Sequence, residues 1–140
     1  TAVRFGLENP LDPEENIAAG ARYLMHLYKR FTNVSSDILE RYKYTLASFN
    51  AGEGRIDDCI RYAEHLGVDP AWWDDVSARV IPEMSDSTAL GSGAIKVGLF
   101  KGKETIAYVN EVFNTFVNMC HICPEGGDAR TSLAKAYGRE

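Results

Sequence analysis

The sequence predicts an all-α fold. Apolar residues recur at helical spacing in several separate stretches, and no stretch keeps the alternation of apolar and polar residues that is typical of a β-strand. Of the 140 residues, 45% are apolar and 25% are charged, which is ordinary for a globular protein with a real core. We therefore expect one helical domain over residues 1–123, followed by a polar tail over residues 124–140 with room for one short helix.

The first predicted helix has a clear start. Asp12 is a good capping residue, and Glu15 stands three positions later, as in a capping box. Ile17 and Tyr28 belong to an apolar stripe at helical spacing that we expect to face the core. Gly20 lowers helix propensity inside this segment, so we expect it to mark a close approach to another helix.

Two further helices are joined by a glycine-containing turn. Ser35 or Ser36 is expected to cap the second helix, which ends within residues 49–54, where two glycines stand two residues apart. The third helix is predicted over residues 55–66. Asp57 and Asp58 fall near its start, where we expect solvated carboxylates that the helix dipole stabilises.

The second half of the chain has one short and one long predicted helix. The short helix covers residues 69–80 and contains Trp72 and Trp73. Residues 83–102 are rich in glycine and serine and are predicted as mainly loop. The long helix begins near Lys103 and has a wide apolar face, formed by Ile106, Val109, Val112, Phe113, Phe116, Val117 and Cys120.

Charge and hydropathy exclude two classes of partner. The net charge is −5, and no cluster of lysine and arginine offers the basic face that a nucleic acid requires. No apolar run approaches the roughly 20 residues that a transmembrane helix needs. The chain opens at Thr1 without an initiating methionine or a signal peptide, so we expect it to be a piece of a longer protein.

The cysteines do not indicate a metal or cofactor site. Cys120 and Cys123 form a C-x-x-C, but Pro124 stands where a c-type haem needs histidine. With His121 the pair offers three ligands, whereas structural zinc needs four. We expect a local disulfide or two ordinary thiols there, a core position for Cys59, and neither metal nor cofactor.

The residues by themselves give no complete catalytic set. Glu104 stands at the start of the long helix after a glycine-rich loop, and Tyr108 shares its helix face four residues later. Taken alone, the pair is explained by capping of the helix by Glu104 and by packing of Tyr108, without a catalytic role. No carboxylate falls in an apolar stretch that would raise its pKa into the range of a general acid.

Three blocks, in order, resemble the soluble-type lytic transglycosylases, which are murein-cleaving enzymes. Residues 9–24 contain a match to the family's D-P-x-x-N-I-x-x-G-x-x-Y-L helix. Residues 44–55 contain a match to its A-x-Y-N-A-G-x-G-x turn, and residues 103–109 a match to its E-T-x-x-Y-V helix start. The long insert between the second and third blocks resembles the membrane-bound lytic transglycosylase F subgroup.

The resemblance implies a lysozyme-like helical fold and a reaction. Such enzymes cleave the bond between N-acetylmuramic acid and N-acetylglucosamine without water and close a 1,6-anhydro ring. The family's catalytic glutamate lies in an E-S motif, followed by G-L-M-Q, and both precede the segment that begins at Thr1. We therefore expect residues 1–123 to be the C-terminal part of such a domain, with no catalytic residue in this chain and its general acid upstream.

By resemblance, five residues are expected to bind substrate. Ser48, Phe49 and Asn50 match the turn that lines the cleft, while Glu104 and Tyr108 match positions in the third block. The family usually has tyrosine at the position of Phe49, so one hydroxyl contact is lost here. A helix C-cap for Asn50 and simple packing for Tyr108 are the structural alternatives.

The resemblance also implies a partner and a location. The expected partner is the glycan strand of peptidoglycan, and the expected location is the bacterial envelope, either periplasmic or associated with the outer membrane. Trp72 and Trp73 offer additional ring surfaces, for which core packing is the more frequent role. A non-catalytic glycan-binding module and a purely structural helical domain are the two alternative functions.

Overall fold

The all-α prediction is confirmed. A computed structural model describes residues 3–123, 125 and 127–138, and this part of the chain holds helices joined by turns and loops. The α-helices are α1 (Pro13–Arg30), α2 (Ile38–Ala51), α3 (Glu53–Leu66), α4 (Trp73–Arg79), α5 (Ser87–Leu90), α6 (Lys103–Ile122) and α7 (Ala129–Tyr137). Short 3-10 helices cover Val3–Phe5, Phe31–Asn33 and Ile81–Ser85.

Helix α2 lies at the centre of the fold. It packs against α1, α3, α4, α6 and α7. Its Tyr44 ring stacks on Phe31 at 5.3 Å between centroids and meets Trp73 edge-on at 5.2 Å. The Tyr44 hydroxyl donates to the carbonyl oxygen of Pro70 at 2.6 Å, and burial raises the pKa of Tyr44 above its usual value. This aromatic cluster places Trp73 in the core, whereas Trp72 is 49% exposed.

The predicted helix starts are right in place but differ in detail. The Asp12 carboxylate accepts from the amides of Glu14 and Glu15, as expected of an N-cap. The Glu15 carboxylate does not return to the cap residue; it accepts instead from the amides of Glu8 at 3.1 Å and Asn9 at 2.7 Å. Asp37, rather than Ser35 or Ser36, caps α2. These acidic caps fix how the chain enters both helices.

The apolar stripe predicted for α1 is buried at Tyr28 but not at Ile17. Ile17 is 73% exposed, while Ala19, Leu27 and Tyr28 are buried. The prediction for Ile17 was wrong because periodicity gives the spacing of a stripe but not which neighbouring positions another helix covers.

Helices α2 and α3 are joined at Gly52, whose backbone conformation favours glycine. Gly52 is both the C-cap of α2 and the N-cap of α3, and its φ angle is +92°. Side chains with a Cβ rarely adopt this conformation, so the turn depends on glycine. As a result α3 begins directly at Glu53, two residues earlier than expected.

Asp58 contradicts its expected solvated position. Its carboxylate is fully buried and accepts from the amides of Lys96 at 3.0 Å and Val97 at 2.7 Å. The Arg61 guanidinium also donates to it and, through Nε, to the carbonyl oxygen of Ala94 at 3.0 Å. The carboxylate therefore fastens an otherwise irregular loop to α3. Asp57 is only partly buried and pairs with Arg30.

Helix α7 packs against the helical body. Leu133 is 2% exposed, and the Tyr137 ring stacks on Tyr28 with 4.3 Å between centroids. Arg130 donates to the Asp37 carboxylate at 2.8 Å, which joins α7 to the start of α2. The helical part of the predicted polar tail thus contributes to the packing. The domain boundary between residues 123 and 124 stays a prediction.

The cysteines are free thiols. Cys59 and Cys120 are buried, and Cys123 is exposed at the end of α6. Burial raises the pKa of the Cys59 thiol, as expected of a core residue. No helix in the described part of the chain combines the length and hydrophobicity that crossing a bilayer requires.

Removing the buried carboxylate is expected to be costly. Asp58→Ala should lower the free energy of unfolding by about 3 kcal/mol, because two amides and Arg61 lose their acceptor. Urea denaturation measures this loss. Asp75→Ala removes an exposed carboxylate and should change stability by less than about 0.5 kcal/mol. Equal effects of the two substitutions on stability would contradict the role of Asp58 in fastening the loop to α3.

The attachment of α7 is expected to depend on pH. Burial opposes ionisation of Asp37, but bonds from Arg130, Glu40 and Leu39 outweigh it and hold the pKa of Asp37 below its usual value of 3.8. A lowered pKa stabilises the fold above pH 3.8, and this contribution is lost as pH falls through the folded-state pKa.

Arg130→Gln should therefore destabilise the protein by about 0.5 kcal/mol at pH 7, and by progressively less below pH 4. Thermal unfolding against pH measures both effects. Arg79→Gln removes an exposed arginine elsewhere and should show no such pH dependence. A constant difference for Arg130→Gln across this range would contradict the role of Asp37.

Candidate functional site

A groove opens where α2 ends and α6 begins. It has a volume of about 500 Å³, and we call it the Asn50 groove. It is lined by Asn50, Ala51, Arg55, Leu99, Phe100, Lys101, Glu104 and Thr105. Two of the five predicted substrate-binding residues, Asn50 and Glu104, are therefore brought together although 54 positions separate them in sequence.

A hydrogen bond joins the two sides of this groove. The Thr105 hydroxyl donates to Oδ1 of Asn50 at 2.8 Å. Thr105 is buried, whereas Asn50 is exposed, and the bond engages the amide oxygen of Asn50 and not its NH₂ group. The side chain of Asn50 therefore binds across to α6, which a simple helix C-cap does not explain.

Arg55 holds the wall of the groove that residues 99–101 form. Its guanidinium donates to the carbonyl oxygen of Leu99 at 3.1 Å and lies 5.5 Å from the centre of the Phe100 ring. Residues 99–101 continue from the loop that Asp58 fastens, so two side chains of α3 determine the position of this wall. The groove is thus preformed by contacts within the chain.

Phe49 lies in a separate, smaller hollow. This Phe49 hollow has a volume of about 230 Å³. Its lining comprises Phe5, Leu7, Asn16, Ala19, Gly20, Tyr23 and Phe49. Phe49 is 41% exposed, and its ring lies 5.7 Å from that of Tyr23. Burial, assisted by the nearby Glu53 carboxylate, raises the pKa of Tyr23 above its usual value.

The expected role of Gly20 was wrong. A Cβ at this position would meet nothing within 4 Å, so Gly20 does not mark a close approach between helices. It forms part of the floor of the Phe49 hollow instead.

Ser48 and Tyr108 do not line the groove. Ser48 is fully buried, and its Oγ has no hydrogen-bond partner among the described residues. Tyr108 is half-buried and packs against the core, which is the packing alternative considered from sequence. The five predicted residues thus occupy three environments.

The buried carboxylates are engaged in structural contacts. Glu40 accepts from the Trp73 amide at 2.7 Å and from Lys43 at 2.8 Å. Asp58 holds the loop as described above. Glu104 is exposed at the groove. Within residues 3–123, 125 and 127–138, no three side chains of the metal-binding types come together.

Six of the eight groove residues escaped the sequence prediction: Ala51, Arg55, Leu99, Phe100, Lys101 and Thr105. Arg55, Leu99 and Lys101 fall at a helix start and in a stretch expected to be loop, where nothing in the local pattern marks a wall. Ala51, Arg55 and Thr105 carry a signal, because the first two belong to the second family block and Thr105 belongs to the third.

Part of the chain matches a known protein family. A family model described as the Transglycosylase SLT domain matches residues 2–70, which include α1, the glycine turn and Asn50. Over these residues the chain matches this family, whose domain is lysozyme-like and helical.

Among curated proteins, several relatives are named membrane-bound lytic murein transglycosylase F. The chain is 37% identical to the one from Maricaulis maris over 112 residues, which are 80% of this chain and 24% of that protein. The protein from Shewanella frigidimarina is 33% identical over 80% of this chain and 23% of its own length. The chain thus spans about a quarter of these relatives. No solved structure shows significant similarity to it.

The bond between Thr105 and Asn50 is expected to shape the groove. Thr105→Val keeps the side-chain size but removes the donor, and should lower the free energy of unfolding by about 1 kcal/mol. The side-chain amide signal of Asn50 in a ¹H–¹⁵N NMR spectrum should move toward the chemical shift of a solvent-exposed asparagine side chain. Thr115→Val, at an exposed position on the same helix, is the control. An unchanged Asn50 signal would contradict the bond.

Proposed function

We propose that this chain forms the glycan-binding part of a lytic transglycosylase domain that acts on peptidoglycan. The observation that carries the proposal is the Asn50 groove, in which the second and third family blocks meet through the bond from Thr105 to Asn50. The relatives named lytic murein transglycosylases support the same function.

The groove has suitable chemistry for a sugar chain. The amide of Asn50 can donate to a sugar oxygen, and the exposed Glu104 carboxylate can accept from hydroxyl groups. Hydrogen bonds of this kind to a charged acceptor are the stronger ones. Phe49, one residue from Asn50, lies outside the groove in the Phe49 hollow and offers a partly exposed ring on which a further pyranose can pack. The two features together suit an uncharged, hydroxyl-rich polymer.

The general acid is proposed to come from the E-S motif upstream of Thr1. Protonation of the glycosidic oxygen requires a carboxyl group that is kept protonated near the groove. Glu40 and Asp58 are engaged by other groups, so neither of these buried carboxylates fits that role.

One upstream carboxyl group suffices for the proposed reaction. It donates its proton to the oxygen that leaves C1 of N-acetylmuramic acid. The resulting carboxylate then takes the proton of the C6 hydroxyl, whose oxygen attacks C1 and closes the 1,6-anhydro ring. No second carboxylate is needed, in contrast to the paired arrangement of most glycosidases. The bacterial envelope is the proposed location, because peptidoglycan lies there.

Binding is expected to depend on the groove. Titration of the chain with a soluble N-acetylglucosamine oligosaccharide should show saturable binding, which Glu104→Gln weakens about tenfold through loss of a charged acceptor. Glu111→Gln removes an exposed carboxylate elsewhere on α6 and should leave the affinity unchanged. Absence of binding to the unaltered chain would favour a purely structural domain.

The products of cleavage distinguish the reaction classes. The gene product that includes the segment upstream of Thr1 should release 1,6-anhydromuropeptides from purified sacculi, detected by mass spectrometry. Ordinary reducing-end products would indicate a hydrolase. Binding without cleavage would favour the glycan-binding module.

A further inference from the structure

A second cavity lies beside the Asn50 groove, between the 3-10 helix Ile81–Ser85 and the start of α6. It has a volume of about 460 Å³, and we call it the Ile81 hollow. It is lined by Ile81, Pro82, Ser85, Phe100, Lys101, Gly102, Lys103 and Ile106. Most of the lining surface is apolar, unlike that of the groove.

The hollow and the groove are neighbours with a shared wall. Phe100 and Lys101 line both cavities. A polymer in the groove can therefore place a side branch in the hollow without leaving the protein surface. The hollow is the more apolar of the two cavities, so it suits a branch of different chemistry from the main chain.

The shape of the hollow is fixed by a close approach. A Cβ on Gly102 would lie 2.3 Å from Cγ2 of Ile81 and 3.0 Å from Cε1 of Phe100, so only glycine permits this packing. The Phe100 amide donates to the carbonyl oxygen of Met84 at 2.9 Å, which fastens the shared wall to the 3-10 helix. The cavity is thus preformed, which lowers the entropic cost of binding.

Two cations flank the apolar surface. Lys101 and Lys103 are exposed and line the hollow, and no carboxylate is among its lining residues. Glu104, the next residue along the chain, lines the groove instead. In a chain of net charge −5, this local excess of positive charge favours an anionic group next to a small apolar one.

We propose that the Ile81 hollow binds the peptide that N-acetylmuramic acid carries on its lactyl ether. The proposal rests on the proposed function, because it needs the glycan strand in the Asn50 groove. The alanyl methyl group matches the apolar lining, and the glutamyl carboxylate that follows it matches Lys101 and Lys103. The hollow thereby selects peptide-bearing over bare glycan.

Two ligands that differ only in the peptide test this specificity. Both are tetrasaccharides of alternating N-acetylglucosamine and N-acetylmuramic acid; one carries L-alanyl-D-glutamate, and the other carries a methyl amide on the lactyl group. Calorimetric titration of the chain should show about tenfold tighter binding of the peptide-bearing ligand.

Variants of hollow residues should remove this preference alone. Lys103→Gln should reduce the advantage about three- to fivefold, and Ser85→Phe, which fills the mouth of the hollow, should abolish it. Neither should change the affinity for the methyl amide. Lys96→Gln, an exposed lysine outside both cavities, is the matched control and should leave both affinities unchanged.

Methyl NMR on the unaltered chain gives an independent readout if a variant fails to fold. Signals of Ile81 and Ile106 should shift with the peptide-bearing ligand and not with the methyl amide. Equal affinities and equal shifts for the two ligands would overturn the proposal that the hollow binds the peptide. They would leave the proposal of glycan binding in the groove standing. Absence of binding by either ligand would overturn both proposals.

Discussion

The buried carboxylate of Asp58 is the contact on which the site depends. A buried charge is costly unless hydrogen bonds satisfy it, and here two loop amides and Arg61 do so. The loop they hold has few regular hydrogen bonds of its own and leads directly into residues 99–102. That segment forms the wall shared by the Asn50 groove and the Ile81 hollow. Contacts from α3 therefore help to position the wall that both cavities share, and α3 supplies Arg55 to the lining of the groove.

The end of α2 distributes three consecutive residues among three environments. Successive residues on an α-helix are rotated by about 100° because one turn holds 3.6 residues. Ser48 consequently faces the core, Phe49 the hollow beside α1, and Asn50 the groove beside α6. Gly52 then turns the chain within one residue, which places Arg55 of α3 on the same groove. A short sequence block thus supplies the core, an aromatic surface and a polar contact together.

The two cavities that share the Phe100 wall differ in chemistry in a way that matches a branched substrate. The Asn50 groove presents an amide and a carboxylate, which suit hydroxyl and acetamide groups. The Ile81 hollow presents aliphatic surface and two ammonium groups, which suit methyl groups and carboxylates. The hollow depends on a close packing contact, that of Gly102 with Ile81. Specificity for the branch would then follow from the backbone approach of α6 to the preceding 3-10 helix.

Much of the local structure and part of the site were predictable from the sequence. The Asp12 cap, the glycine turn at Gly52 and the start of α6 near Lys103 follow from backbone preferences, which act over a few residues. The three blocks also indicated the family and two groove residues, Asn50 and Glu104.

Only the tertiary structure decided which of the remaining residues are buried. Asp58 was expected to be solvated because its buried partners, the amides of Lys96 and Val97, stand almost forty positions away. Likewise, nothing local to α7 shows that Tyr137 stacks on Tyr28. Propensities and caps are short-range properties of the chain, whereas burial and cavity shape depend on contacts between distant segments that a linear pattern does not contain.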